Sequence, residues 1–242
     1  MTPLRPLEYA RALLAGVPGQ CAVCRAWDRA AVCADCVRRY AAPQPRCSRC
    51  AIAVPAQAVL CGACLKAPSA IDRAVAAVSY EFPWDGLITR FKFHGALDVG
   101  PALAERLLAV WRASGLAPPG LVLPIPLAAE RLRERGYNQA WEVARRVART
   151  LNLRADAHLL MRPRDTLHQI DLQFDRRAAN VRGAFAVDAR RAHRLAGRRI
   201  ALVDDVMTTG ATLDEAARTL RRAGAAAVEA WVVARTPRAD GA

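Results

Sequence analysis

The chain is expected to fold as a parallel α/β sheet flanked by helices, preceded by a small four-cysteine zinc-ribbon module. Three observations predict this. All eight cysteines fall between Cys21 and Cys64, in four Cys-x-x-Cys pairs. From Ile71 onward, apolar runs of strand length alternate with segments of helical spacing, the pattern of βα units. Finally, Ile200 to Thr212 reads as an apolar strand, an acid pair, a small-residue loop and a helix start. In open α/β sheets a ligand binds beyond the carboxyl end of such a strand.

The cysteines come first in the chain. Cys21/Cys24, Cys33/Cys36, Cys47/Cys50 and Cys61/Cys64 each present two sulfurs from one tight turn, and two such pairs complete a tetrahedral four-thiolate site. No histidine lies in this region, which argues against mixed Cys/His ligation. Disulfides are the competing reading, and they fit badly with a cytoplasmic chain. A redox Cys-x-x-Cys would be a single pair preceding a helix. The spacing therefore predicts structural zinc, one ion or two. It leaves open whether the pairs join sequentially or in a cross-braced arrangement. A closed four-thiolate site keeps no coordination position for a substrate, so its role is to hold the fold. Pro43, Pro45 and Pro55 mark loops between the knuckles. Pro68 and Ser69 mark the join to the second region, which gives expected domains of residues 1–68 and 69–242.

Beyond the join, Val75, Ala77 and their neighbours up to Tyr80 read as a strand. Pro83 opens a short helix through Phe93, with Gly95 as its C-terminal stop. Leu97 to Trp111 has helical spacing, with Leu103, Leu107, Leu108 and Trp111 on one side. Pro118-Pro119-Gly120 breaks that helix. A short strand, Leu121 to Leu123, then ends at Pro124-Ile125-Pro126. Leu132 to Thr150 is mostly helical, and a strand follows near Leu159. Pro163 to Gly183 reads as an exposed polar loop or hairpin. Ile200, Ala201, Leu202 and Val203 form a continuous apolar run, as in a parallel strand buried on both faces. Gly224 stops the next helix, and Ala227 to Ala234 is a final buried strand.

The chemistry concentrates at the end of the Ile200 strand. Adjacent carboxylates, Asp204 and Asp205, need a partner at a buried strand end. They cannot hold a phosphate; they suit ribose hydroxyls, or water on a magnesium ion. The loop Thr208-Thr209-Gly210-Ala211-Thr212 offers backbone N–H groups and hydroxyls at a helix N-terminus, which suits a phosphate. Phosphate beside sugar hydroxyls points to a phosphorylated ribose. The plainer alternative is an ordinary capped helix, with Thr212 and Glu215 as a capping box. It leaves the acid pair and Thr208-Thr209-Gly210 without a purpose.

Three further segments carry polar side chains in conspicuous density. Arg131, Arg133 and Arg135 with Gly136 follow shortly after a strand end, and such a loop can neutralise a pyrophosphate leaving group. A solvated, charge-mixed helix start is the bland alternative. The stretch from Arg162 through His168 and Gln169 to Arg177 and Asn180 has the composition of a lid that would exclude water, or of a plain β-hairpin. Lys92, in Phe91-Lys92-Phe93-His94-Gly95, is one of only two lysines, the other being Lys66. A lysine retained where arginine is used nearly everywhere else suggests a need for a compact charge; otherwise Lys92 simply faces solvent at a helix end.

Composition limits the function classes. The 242 residues allow one large or two modest domains, and 53% hydrophobic content is enough for a core. No run approaches ~18 uninterrupted apolar residues, so no membrane span is expected. Glu8 and Arg11 make the N-terminus a poor signal peptide, and the cytoplasm is the expected location. The formal net charge of +14 suggests a polyanionic partner. Two four-thiolate zinc sites would lower it to roughly +10. With 6% aromatic residues there is no interleaved basic–aromatic stripe for stacking bases, so nucleic-acid binding is permitted rather than demonstrated. The absence of a Gly-x-x-x-x-Gly-Lys loop argues against an ATP-driven motor.

Taken together, these segments resemble the ComF family, a cysteine-rich zinc-ribbon module followed by a type I phosphoribosyltransferase-like domain. The matching stretches are Phe91 to Gly95, Pro124 to Leu127, Arg131 to Gln139, Arg162 to Gln169, Arg177 to Asn180, and Val203 to Thr212. The last resembles the PRPP (phosphoribosyl pyrophosphate) motif. By that resemblance Asp204 and Asp205 bind ribose hydroxyls, while Val206, Met207, Thr208, Thr209, Gly210, Ala211 and Thr212 wrap the 5′-phosphate. Arg131 and Lys92 join the PRPP site, Arg135 acts with the acid pair in catalysis, and magnesium accompanies PRPP. The resemblance implies a role in natural competence, handling imported single-stranded DNA in the cytoplasm alongside a competence helicase or other uptake protein. A catalytically active, magnesium–PRPP-dependent transferase on an unidentified acceptor and a purely regulatory PRPP sensor stay open beside it.

Overall fold

The computed structural model describes residues 19–163 and 181–237. The proposed lid from Arg164 through His168, Gln169 and Arg177 to Asn180, and the N-terminal stretch with Glu8 and Arg11, lie outside the described residues. Compact packing divides the chain into Met1–Ala42 and Pro43–Ala242. This division falls between the second and third Cys-x-x-Cys pairs. The compositional boundary at 68/69 marks instead where the cysteine-bearing segment ends.

In the first unit, two-residue strands β1 (Gly19–Gln20) and β2 (Trp27–Asp28) pair antiparallel, and helix α1 (Ala34–Tyr40) follows. Cys33 caps α1: its sulfur accepts from the Cys36 backbone N–H.

The second unit opens with the other two Cys-x-x-Cys pairs and helix α2 (Gly62–Lys66). It then builds a sheet whose described strands are β3 (Arg73–Ser79), β4 (Leu121–Pro124), β7 (Arg199–Met207) and β8 (Ala227–Arg235), in spatial order β3-β8-β7-β4 and all parallel. A small antiparallel pair, β5 (Leu160–Met161) with β6 (Ala186–Val187), lies outside this sheet.

Both faces of the sheet are covered, which is why its strands are apolar without alternation. On one face, Ala74, Ala76, Leu121, Leu123, Ile200, Leu202, Val228, Ala230 and Val232 pack with Leu213, Ala216, Ala217 and Leu220. The last four recur at i, i+3, i+4 and i+7 along the helix Ala211–Arg222, the spacing of a single apolar stripe. On the other face, Trp231 meets Trp111 with ring centroids 5.4 Å apart. Trp111 ends the stripe Leu103, Ala104, Leu107, Leu108 of the helix Gly100–Ala113. Each Leu or Val so buried contributes about 1.5–3 kcal/mol.

Two readings change against the structure. The helical stretch expected from Leu132 to Thr150 is two helices, Ala129–Arg135 and Gln139–Thr150. Gly136 adopts φ 75°, a left-handed conformation that ends the first, and Asn138 caps the second. The Thr212/Glu215 capping box does not form. The helix begins at Ala211 behind Gly210, with no side-chain cap, and Glu215 Oε1 instead accepts the Gly183 backbone N–H at 2.9 Å.

Candidate functional site

A cleft of about 130 Å³ lies where the carboxyl ends of β4 and β7 adjoin. The two strands stay in register to their ends, Pro124 opposite Val203, and the Ile125 N–H extends the ladder to Val203 O at 2.8 Å. The cleft therefore has Ile125, Pro126 and Leu127 on one wall and the whole run from Asp204 to Leu213 on the other. Lys92, Arg131, Arg135, Gln139 and Arg162 complete it. Every residue expected at the PRPP site (Asp204, Asp205, Val206, Met207, Thr208, Thr209, Gly210, Ala211, Thr212, Arg131, Arg135 and Lys92) lines this one cleft.

The acid pair is electrostatically divided. Lys92 Nζ approaches Asp205 Oδ1 at 3.1 Å, with both side chains largely shielded from solvent. Lys92 thus does not simply face solvent at a helix end. Among the described residues nothing partners Asp205 Oδ2 or Gln139 Oε1, although both atoms are buried. Leaving such groups unmet costs about 1–3 kcal/mol each, which is tolerable where a ligand supplies the missing donors. Burial, and then the neighbouring Asp205 charge, push the Asp204 carboxyl up to about 7, against the opposing pull of Lys92 and Arg162.

The loop between β7 and the helix Ala211–Arg222 turns on Gly210, at φ 85°. The positive φ favours glycine here, and a Cβ would only have to displace the terminal methyl of Met207, 2.5 Å away. The first residues of the helix, Ala211, Thr212 and Leu213, line the cleft, and the Ala211 N–H donates to Thr209 Oγ1 at 3.3 Å.

The segment Arg135 to Gln139 is built as a fixture. The Tyr137 hydroxyl donates to Phe91 O. Asn138 Nδ2 donates to Ile125 O at 3.0 Å while its Oδ1 accepts the Trp141 N–H at 3.2 Å. One carboxamide thereby ties the end of β4 to the start of a helix and leaves Gln139 turned into the cleft. Arg135 lies over the Phe93 ring at 4.8 Å, and Arg162 over the Phe185 ring at 5.6 Å.

Sequence reasoning missed Arg235. It is buried at the end of β8, and its guanidinium donates to the carbonyls of Met207 (3.0 Å), Thr208 and Thr236, and through Nε to Cys50 O at 2.8 Å. A signal was present: an arginine closing a strand that is otherwise almost wholly apolar. Gln139 was visible in the motif but had no role assigned to it.

Among the described residues two four-cysteine clusters form, Cys21/Cys24/Cys33/Cys36 and Cys47/Cys50/Cys61/Cys64, each with its sulfurs within 4.8 Å of one another. The pairing left open by spacing is thus sequential. The Cys24–Cys33 and Cys50–Cys61 sulfurs are 3.7 Å apart, close to the edge of about 3.8 Å that a tetrahedron of ~2.3 Å Zn–S bonds requires. Burial works against a Cys21 thiolate, but backbone N–H donors from Cys24, Cys33 and Val23 outweigh it and lower Cys21 to about 6. The donor set fits zinc, which would be held here as a structural ion.

The phosphoribosyl transferase domain family matches residues 138–241. Over 227 residues the chain is 33% identical to the DNA utilization protein YhgH of Escherichia coli O6:H1, covering 91% of this chain and 98% of that protein. It is 34% identical over 208 residues to competence protein F of Haemophilus influenzae, covering 84% of this chain and 90% of the relative. Among solved structures, a glutamine PRPP amidotransferase of B. subtilis aligns with a TM-score of 0.40 at 17% identity, over 60% of this chain and 30% of that one. No helix among the described residues is long and apolar enough to cross a membrane.

Proposed function

We propose, from the premise that this chain belongs to the ComF family of YhgH and competence protein F, that its cleft binds magnesium–PRPP and that the protein serves the use of incoming single-stranded DNA in the cytoplasm. One observation carries the PRPP reading: the acid pair, the glycine-turned loop and the cationic side chains converge on a single cleft that holds buried, unmet oxygens. The loop from Thr208 to Thr212 would take the 5′-phosphate on backbone N–H groups and hydroxyls. Asp204 and Asp205 would accept from the ribose hydroxyls, a reading supported by Asp205 Oδ2, which has no donor among the described residues. Arg131 and Arg135, which line the cleft, would meet the pyrophosphate. Magnesium, bound with PRPP, supplies neutralising charge; the residues above bind and orient.

Calorimetry tests this directly. Wild type should bind PRPP in the micromolar-to-millimolar range only with magnesium. The double variant Asp204→Asn/Asp205→Asn should lose that binding. No binding by wild type, or equal binding by the variant, would sink the reading.

A second reading, pentosyl transfer, is favoured by the cations facing the acid pair, since positioning and charge stabilisation are most of what such a reaction asks of a protein. Release of pyrophosphate from PRPP in the presence of candidate acceptors separates it from binding alone. The DNA role draws support from the names of the relatives and from the arginine excess. It predicts single-stranded DNA binding that weakens steeply with salt, and no binding even at low ionic strength would remove it.

A further inference from the structure

We propose that Arg235 couples metal occupancy of the second cysteine cluster to the order of the phosphate loop, making it a positioning residue for that loop. Its consequence for ligand affinity rests on the PRPP reading; its structural content does not.

The path is short and contiguous. Arg235 is 7% exposed, and a single guanidinium spans two elements. On one side it holds Met207 O and Thr208 O, the carbonyls that lead into the glycine turn. On the other it holds the carbonyl of Cys50, whose sulfur belongs to the cluster. Strand register fixes its base: Arg235 sits opposite Met207 of β7 and Ser79 of β3. Behind the cluster, Arg46 donates to Ala51 O at 3.0 Å and to Ser79 Oγ at 3.1 Å. Ala51 itself has φ 55°, a conformation that costs an alanine about 1–2 kcal/mol and that its N–H bond to Cys47 O at 2.8 Å helps to hold. A metal that binds Cys47, Cys50, Cys61 and Cys64 therefore fixes the Cys50–Ala51 peptide, that peptide fixes the Arg235 fork, and the fork fixes the loop. The guanidinium is suited to this because its planar donors serve several carbonyls at once, which an ammonium cannot do in the same geometry.

The first cluster is an internal control. Its knuckle repeats the same backbone, with Arg25 at φ 66° after Cys24. Among the described residues no side chain donates to the carbonyls of Cys24 or Arg25.

The test is hydrogen exchange on the zinc-loaded full chain, read at amides 207–212, with β4 amides 121–123 reporting the integrity of the sheet. Cys50→Ser and Arg235→Lys should each speed loop exchange by about tenfold more than they speed exchange at β4, whose own change reports the stability lost by the sheet. The double variant should be no faster than either single one, because both remove the same link. Cys24→Ser should leave the loop unchanged. Loop exchange sped by Cys50→Ser no more than β4 exchange, or additive effects of the two substitutions on the loop relative to β4, would each overturn the proposal. Calorimetry with magnesium–PRPP completes it, with an affinity loss of about tenfold expected for Cys50→Ser. If wild type binds no PRPP, the PRPP reading fails alone, and the exchange result still decides the coupling.

Discussion

The two cysteine clusters are near copies that bear different loads. In each, the first cysteine's N–H reaches the carbonyl five residues on: Cys21 to Ala26 O and Cys47 to Ile52 O, both at 2.8 Å. In each, the third cysteine's N–H bonds the first cysteine's sulfur at 3.3 Å, Cys33 to Cys21 and Cys61 to Cys47. In each, that third cysteine stands at the N-cap of a short helix. Outside the knuckle they diverge. Among the described residues, the first sits in a unit with a pair of two-residue strands and one helix. The second is built into the sheet unit: Ser48 O accepts the Ala74 N–H of β3 at 2.8 Å, Ala51 joins the main core, and two arginines grip its carbonyls. Identical ligand chemistry can thus close a small unit in one place and serve as a foundation for an α/β sheet in another.

The largest expected effect sets the clusters directly against each other. Cys47→Ser should lower the unfolding free energy of the sheet unit by on the order of 4 kcal/mol, since it removes a metal site on which buried contacts depend. Cys21→Ser should leave that transition within about 0.5 kcal/mol. Urea unfolding followed by fluorescence of Trp84, Trp111 and Trp231, all buried in the sheet unit, measures both. An equal loss in the two variants would break the contrast.

A smaller effect comes from protonation. Asp204 is raised to about 7 in the folded state by burial and then by Asp205, against an ordinary value of 3.8. The folded state therefore holds this proton more tightly than the unfolded state. Its contribution is fully present below pH 4 and is lost as pH rises through 7. The ligand-free protein should accordingly lose roughly 3 kcal/mol between pH 4.5 and 8 from this group, and Asp204→Asn should flatten that slope. A wild-type midpoint that does not fall relative to the variant over this range would contradict the assignment.

The smallest effect lies on the first unit's surface. Arg38 pairs with Asp35 along α1, but both side chains are more than 70% exposed. Asp35→Ala should change stability by less than about 0.5 kcal/mol and leave zinc content unaltered. A larger loss in metal analysis or unfolding would mean that the first knuckle depends on its helix surface more than its geometry suggests.

Most of the sheet was legible in the sequence because its strands are continuous apolar runs and its helices carry single stripes, patterns that follow directly from burial on two faces or one. The cleft was legible for a different reason: Asp204, Asp205 and Gly210 sit where only a ligand or a strained turn explains them. Three things were not. The break at Gly136 hides because the segments on either side, Ala129–Arg135 and Gln139–Thr150, both carry helical sequence and only three residues part them. Glu215 looks like a cap partner, yet its distance to the Gly183 N–H decides its role, and that contact spans 32 positions. Arg235 sits where the sequence shows only the end of a strand; its significance depends on carbonyls that belong to two distant segments. Local periodicity carries none of this.

The strand order has a consequence for how the protein is made. β3 lies at the outer edge of the sheet and pairs only with β8 among the described strands, while Asp72 just before it waits for the Val228 N–H, 156 positions further along. At ~5–20 residues per second of synthesis, that interval is roughly 8–30 s during which an apolar strand has emerged without its neighbour. The second cysteine knuckle leaves the ribosome immediately before β3, and Ser48 offers the strand a carbonyl from the start. A knuckle that closes early thus shelters one side of the nascent strand until its late partner arrives.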